Sequence, residues 1–149
     1  IIPEVTVTSI DYIVFKATTN ALNGIVVQVS VPNANLVNTP TSSTIPSANG
    51  DLDSMSYGFG LRNDSSTNSQ TNSGHLGNIT IPSTPIDFTD SGATNRVGGP
   101  STTLSTIVSS NLLPIYNGVA AFEMKVRTDY SKPAGEYNQT LLVIPFIIN

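Results

Sequence analysis

Apolar and polar positions alternate with period two along most of this chain, and no stretch carries a 3.6-residue stripe, so the pattern predicts strands with minimal helix. The opening run, residues 1–10, reads as a strand. Val5 and Val7 point one way and Thr6 and Thr8 the other, and the β-branched residues stiffen the backbone toward the pleated conformation. Pro3 removes one ladder donor, which suits an edge or an added strand better than the middle of a sheet. The remaining pattern offers this strand no evident place in its own domain, so its expected acceptor is another copy of the chain. After Asp11, residues 12–17 resume as a second short strand. Asn20-Ala21-Leu22-Asn23-Gly24 is turn chemistry, and residues 25–31 place Ile25, Val27, Val29 and Val31 on one face, where they should be core.

Residues 33–50, following Pro32 and containing Pro40 and Pro46, read mainly as loop with a short strand at 35–37. In residues 51–61, Met55, Tyr57, Phe59 and Leu61 share one face of a strand loosened by glycines. The Ser/Thr/Asn-rich residues 63–77 have little to bury and predict an exposed, mobile loop. Short strands follow at 79–81 and 85–88, then a Gly-rich connector at 90–100 and a strand or single helical turn at 103–108.

The last third is clearer. Residues 119–127 set Ala120, Phe122, Met124 and Val126 inward and Glu123, Lys125 and Arg127 outward, as an antiparallel strand with one wet face does. Residues 129–136, with Pro133-Ala134-Gly135, read as a turn before a final strand at 137–148. That strand is apolar on both sides. Leu141, Val143 and Ile147 lie on one face and Leu142, Ile144, Phe146 and Ile148 on the other, so both faces need cover. Short strands with Gly/Pro turns argue for an all-β fold, an Ig-like or jelly-roll β-sandwich. Residues 1–10 stand apart as a donor strand from a sandwich domain at 11–149.

Composition narrows the functional classes. At 149 residues the chain is most simply one domain with a real core. Charged residues make up 11% and hydrophobic residues 38%, while Ser, Thr and Asn supply about a third, which is a β protein with polar loops and not a disordered one. A net charge of −4 with six basic residues argues against nucleic acid as a partner. No apolar run reaches the roughly 20 residues of a membrane helix. Starting at Ile, without a basic-then-apolar leader, predicts a mature exported chain whose signal has been removed. Zero cysteines leave no disulfide, thiolate metal site or cysteine nucleophile.

Candidate chemistry is sparse. The single histidine, His75, lies between Gly74 and Leu76 in a polar loop, which predicts a solvated residue and not the oriented base of a catalytic triad. Asp51 and Asp53, with Asp87 and Asp90, could offer oxygens to Ca²⁺, but no EF-hand spacing is present and turn capping is the expected role. Ten acidic residues give no readable carboxylate pair, and without Trp there is no strong sugar-stacking platform, so no enzyme activity and no cofactor are predicted. Asn63-Asp64-Ser65, Asn78-Ile79-Thr80 and Asn138-Gln139-Thr140 match the N-glycosylation acceptor pattern, with Asn63 ranked first and Asn78 next.

The opening strand, the Val/Ile strand at 25–31 and the closing Pro133-Ala134-Gly135-Glu136-Tyr137-Asn138-Gln139-Thr140-Leu141-Leu142-Val143 together resemble a pilin. The nearest likeness is to chaperone–usher fimbrial subunits of the alternate-pilus and spore-coat-U-like branch, whose chains close with a comparable Ala-Gly-x-Tyr turn and strand. The resemblance implies an incomplete Ig-like sandwich whose groove is filled by the N-terminal strand of the next subunit. It makes Ile1, Pro3, Val5 and Val7 the groove-filling positions. Tyr137, Leu141, Val143 and Ile147, with Leu142, Ile144 and Phe146 on the opposite face, become the strand bordering the groove. It also implies an extracellular homopolymer for adhesion or biofilm formation, with an assembly chaperone and an outer-membrane usher as partners. The cysteines of many such subunits are missing here, and archaeal thread-like filaments built by strand donation share the Ser/Thr/Asn-rich character. The other classes open at this stage are a capsid or surface-layer sandwich and a carbohydrate- or surface-binding module.

Overall fold

The computed structural model describes residues 5–9, 11–71 and 74–149. The period-two pattern becomes sheet in which every pair of named strands is antiparallel. The strands are β1 (Thr6–Thr8), β2 (Ile13–Thr19), β3 (Ile25–Ser30), β4 (Asn35–Asn38), β5 (Ser43–Pro46), β6 (Gly50–Asp51), β7 (Gly58–Ser69), β8 (Arg96–Val97), β9 (Ser105–Ser109), β10 (Ile115–Arg127) and β11 (Leu142–Ile147). One 3₁₀ turn, Leu52–Ser54, is capped by Asp51, whose side chain accepts from the Asp53 amide. The result is an all-β sandwich.

The long central strand β10 organises the first sheet. Ala121 pairs with both Val14 of β2 and Asp64 of β7, and Val126 with both Val7 of β1 and Phe59 of β7. Strands β1 and β2 therefore lie end to end along one edge of β10, and β7 along the other. The second sheet is centred on β3, where Val27 pairs with Pro145 of β11 on one side and Val108 of β9 on the other. The hairpin β4–β5 and the short pair β6–β8 complete the structure.

The core fills the space between the sheets. Val27, Val29, Leu61, Ile86, Phe88, Ile107, Val108, Ala120 and Phe122 form one buried cluster, and Leu36, Ile45, Phe59 and Val126 a second. Each fully buried Val, Ile, Leu or Phe adds about 1.5–3 kcal/mol of transfer free energy. Val27, Val29 and Val31 are buried as the alternation predicts, while Ile25 is half-buried.

Four expectations are corrected. Residues 63–69 are not loop: β7 continues through them, because β10 supplies a ladder for the polar residues and Asn63 is 2% exposed. Its Nδ2 donates to the Ala121 carbonyl (2.8 Å) and to Asn68 Oδ1 (2.9 Å), which satisfies a buried amide. Residues 33–50 hold a hairpin, not a single short strand, with Leu36 and Ile45 as its core contacts. Met55 and Tyr57 leave the face shared by Phe59 and Leu61, because the 3₁₀ turn intervenes and the strand starts only at Gly58. The outer face of β10 is not wet, since Lys125 is 4% exposed.

That outer face is covered by the strap of residues 89–97. The Arg62 guanidinium donates to the carbonyls of Ala93 (3.0 Å), Arg96 (3.0 Å) and Asp90. Charge-assisted hydrogen bonds of this kind hold the strap's irregular backbone, whose last two residues, Arg96 and Val97 of β8, also pair with β6.

Candidate functional site

The two sheets have unlike edges. On the β7–β9 side the chain closes the sandwich itself: Thr80 bridges to Ser109 beside β9, and a few residues later the Phe88 carbonyl accepts from the Asn63 amide (2.8 Å) beside β7. Gly98 and Leu61 then exchange backbone bonds at 2.8 and 2.9 Å. On the other side, β2 and β11 are the outermost strands, and among the described residues no strand pairs with the outer edge of either.

Register shows what this seam exposes. Directly opposed residues of an antiparallel pair share a face. Val143, Pro145 and Ile147 oppose Val29, Val27 and Ile25, so they lie on the core face of their sheet. Yet Val143 is 39% and Ile147 61% exposed, whereas Val27 and Val29 are buried. The outer face of β11 is equally bare, with Leu142 at 52% and Phe146 at 42%. Across the seam, Ile13 and Phe15 of β2 face inward toward Phe122 and Ala120 but are only half-buried. Leu141 is half-buried against the main core and Ile144 is half-buried in β11.

The backbone of β11 is equally open. The Ile148 amide donates to the Gly24 carbonyl (2.9 Å), so by antiparallel alternation Phe146, Ile144 and Leu142 aim their amides at β3. Val143, Pro145 and Ile147 aim outward. Pro145, with no N–H to offer, sits in the outward set, as strand prolines do at edges.

The opening strand does have a seat in its own domain, contrary to expectation. Thr6, Val7 and Thr8 pair with Arg127, Val126 and Lys125, and the Ser9 amide donates to the Met124 carbonyl (2.8 Å). The seat is small and held largely by polar side chains. Thr6 Oγ1 donates to Asp53 Oδ1 (2.8 Å), which also takes Arg127 (3.1 Å), while Asn95 donates to Asp53 Oδ2 (2.9 Å). The Asn95 and Thr6 hydrogen bonds, with the charge of Arg127, hold the Asp53 carboxyl below its ordinary value. Val5 remains 49% and Val7 37% exposed. Val7 borders a cavity of about 230 Å³ with Leu36, Met124, Val126 and Tyr137. The structure thus brings Val7 and Tyr137 to one apolar hollow, with the Tyr137 hydroxyl donating to the Pro133 carbonyl (2.9 Å). Ile1 and Pro3 lie outside the described residues.

No protein-family model matches the chain, and no curated protein or solved structure matches it either. Its reading therefore rests on its own geometry. The remaining candidates are placed as follows. Asn63 is buried with its amide nitrogen donating to two acceptors, so the first-ranked glycan acceptor is corrected: the folded chain has no room there for a sugar. Asn78 and Asn138 are exposed. His75 is not a solvated loop residue. It is half-buried, stacked on Tyr116 with ring centroids 5.7 Å apart, and its Nε2 lies 2.5 Å from Asn20 Oδ1. Among the aspartates, Asp51 caps the 3₁₀ turn, Asp87 pairs with Arg96 (3.2 Å) and Asp90 accepts from the Ser65 amide (3.1 Å). Hydrogen bonding from the Ser65 side chain first, with its amide adding less, holds the Asp90 carboxyl below its ordinary value. A hydrogen bond to Asp64 raises the Tyr12 hydroxyl.

What sequence reasoning missed is the second wall of the seam. Ile13 and Phe15 alternate with Val14 and Lys16 like any half-buried strand, and only the topology shows that no strand among the described residues pairs with their outer edge.

Proposed function

We propose that this chain is a structural subunit of an extracellular filament, in which residues 1–10 of one copy complete the seam of the next. The observation that carries the reading is β11: a sheet edge with outward-aimed backbone groups, apolar on both faces and bare on both. Soluble proteins blunt or cover edges of this kind because they template pairing with another chain. A strand entering beside β11 makes main-chain bonds and places alternate side chains between Val143 and Ile147 on one wall and Ile13 and Phe15 on the other. The Val5/Val7 alternation fits that slot. Its intramolecular seat on β10 is three residues long, so exchanging it for the seam of a neighbour loses little and buries far more apolar surface. Export, surface localisation and a role in adhesion or biofilm belong to this proposal, as do an assembly chaperone and usher.

The test is electron microscopy with unheated SDS gels on the full chain and on a variant beginning at Asp11. Fibres and a detergent-resistant ladder are expected from the first and not the second, and excess synthetic peptide of residues 1–10 should arrest fibre growth by capping the seam. Equivalent monomers from both chains would overturn strand donation and favour a surface-binding module.

A further inference from the structure

We propose that the folded chain joins the side chains of Lys125 and Asn95 through an amide bond. Lys125 sits on the outer face of β10, beneath the 89–97 strap, with its side chain 5% exposed. A buried ammonium is costly unless each of its protons finds a partner. Here Nζ meets three oxygens: Thr8 Oγ1 at 2.9 Å, Glu123 Oε1 at 3.1 Å and Asn95 Oδ1 at 3.4 Å.

The three contacts are chemically unequal. Thr8 is a hydroxyl and orients the amine while β1 occupies its seat on β10, that is, before any exchange into a neighbouring copy. Glu123 lies two residues before Lys125 and so on the same face of the strand, where its carboxylate is within proton-transfer distance of Nζ. Asn95 brings a carboxamide carbon one bond beyond the oxygen that Nζ already touches. That amide is held at its other end too, because Nδ2 donates to Asp53 Oδ2 at 2.9 Å. Nucleophile, base, electrophile and a seat for the leaving group are therefore assembled in one cluster that runs from the buried Lys125 amine to the half-exposed Asp53 carboxylate. Holding the amine beside the carboxamide replaces a bimolecular encounter.

The step balances without an oxidant or cofactor. Glu123 takes a proton from the Lys125 ammonium, and the neutral amine attacks Asn95 Cγ to form the Nζ–Cγ bond. A second proton moves from Nζ to Nδ2, the Cγ–Nδ2 bond breaks, and ammonia departs beside the Asp53 carboxylate. It carries off the proton held by Glu123 and leaves as ammonium. The new bond clamps the strap to the central strand in a chain that has no cysteine with which to do so.

Intact-mass and peptide analysis of the natively folded full chain tests this. The expected mass is that of the sequence less one ammonia, and tryptic digestion should give a branched peptide carrying Asn95 and Lys125 with no cleavage after Lys125. Lys125→Arg and Glu123→Gln should both restore the full mass, and their thermal midpoints should fall below that of the linked chain. Succinimide formation at Asn23-Gly24, Asn49-Gly50 or Asn117-Gly118 would also remove ammonia, but it yields no branched peptide. A wild-type chain of full mass, with Asn95 and Lys125 in separate linear peptides, overturns the bond. A branch that persists in Glu123→Gln overturns Glu123 as its base.

Discussion

Along the β7–β9 side of the sandwich, residues 79–98 run from one sheet to the other, drop Ile86 and Phe88 between them and bond to both flanking strands. Along the β2–β11 side the same two sheets end without a neighbouring strand among the described residues, and apolar side chains that face inward by register stand in the open. The open side carries the more apolar strands, since β11 is apolar at every position whereas β7 is polar from Arg62 onward. The difference is whether the chain supplies its own cover, and it teaches that exposure at β11 belongs to the topology and not to a weak strand.

The sharpest way to break the comparison is to hollow the closed part. Phe122 is fully buried and meets Phe15 edge-on, with ring centroids 5.6 Å apart. Phe122→Ala should cost about 3–5 kcal/mol in chemical denaturation, through lost transfer energy and the cavity left behind. A loss well under 1 kcal/mol would show that the interior is loosely packed throughout, and the contrast between the two sides would disappear. Next in size is Arg62→Met, which leaves the strap carbonyls at Ala93, Arg96 and Asp90 without their donor. We expect a loss of about 1–3 kcal/mol, with faster hydrogen exchange confined to residues 90–97. Exchange spread evenly over β7 and β10 would mean that Arg62 supports the sheet and not the strap.

A milder perturbation is acid. The Asp53 and Asp90 carboxyls lie below their ordinary value of 3.8 in the folded chain, chiefly through Asn95 at Asp53 and Ser65 at Asp90. A carboxyl depressed by folding contributes stability that is present above its unfolded value and lost as pH falls through its folded one. The strap and the β1 seat, both tied to these carboxylates, should therefore loosen below pH 3.8, with the core strands persisting. Amide exchange measured at stepwise lower pH should show residues 6–9 and 89–97 opening first; simultaneous opening of β3 would contradict the assignment.

How far the sequence reveals these differences follows from what period-two patterns encode. The buried faces of β3 and β10 were legible because apolar side chains alternate with polar ones there, as at Val27 and Val29 or Phe122 and Val126. The double-sided apolarity of β11 was legible too, as a need for cover. Residues 63–69 were misread because Ser, Thr and Asn look alike in a loop and in a strand whose polar side chains find partners, as Asn63 finds Asn68. Lys125 was misread as solvated because alternation assigns a face but not what lies over it, and the strap is brought in from residues 89–97 by Arg62. The seam itself has no local signature, since an edge is a property of topology.

The smallest expected effect discriminates best. Ile147 is 61% exposed on the core face of β11, so Ile147→Ser removes few contacts within one subunit and should change the denaturation free energy by no more than about 0.5 kcal/mol. A strand seated in the seam of the next copy would lose an apolar wall at that position, so fibres should fail to form or should dissolve in unheated detergent. Val27→Ser, on the same face but buried beneath its neighbours, should do the reverse and destabilise the monomer directly. If Ile147→Ser fibres are indistinguishable from the parent, the occupant of the seam does not touch its core face. Strand donation into this edge would then give way to association through the outer face, where Leu142 and Phe146 are exposed.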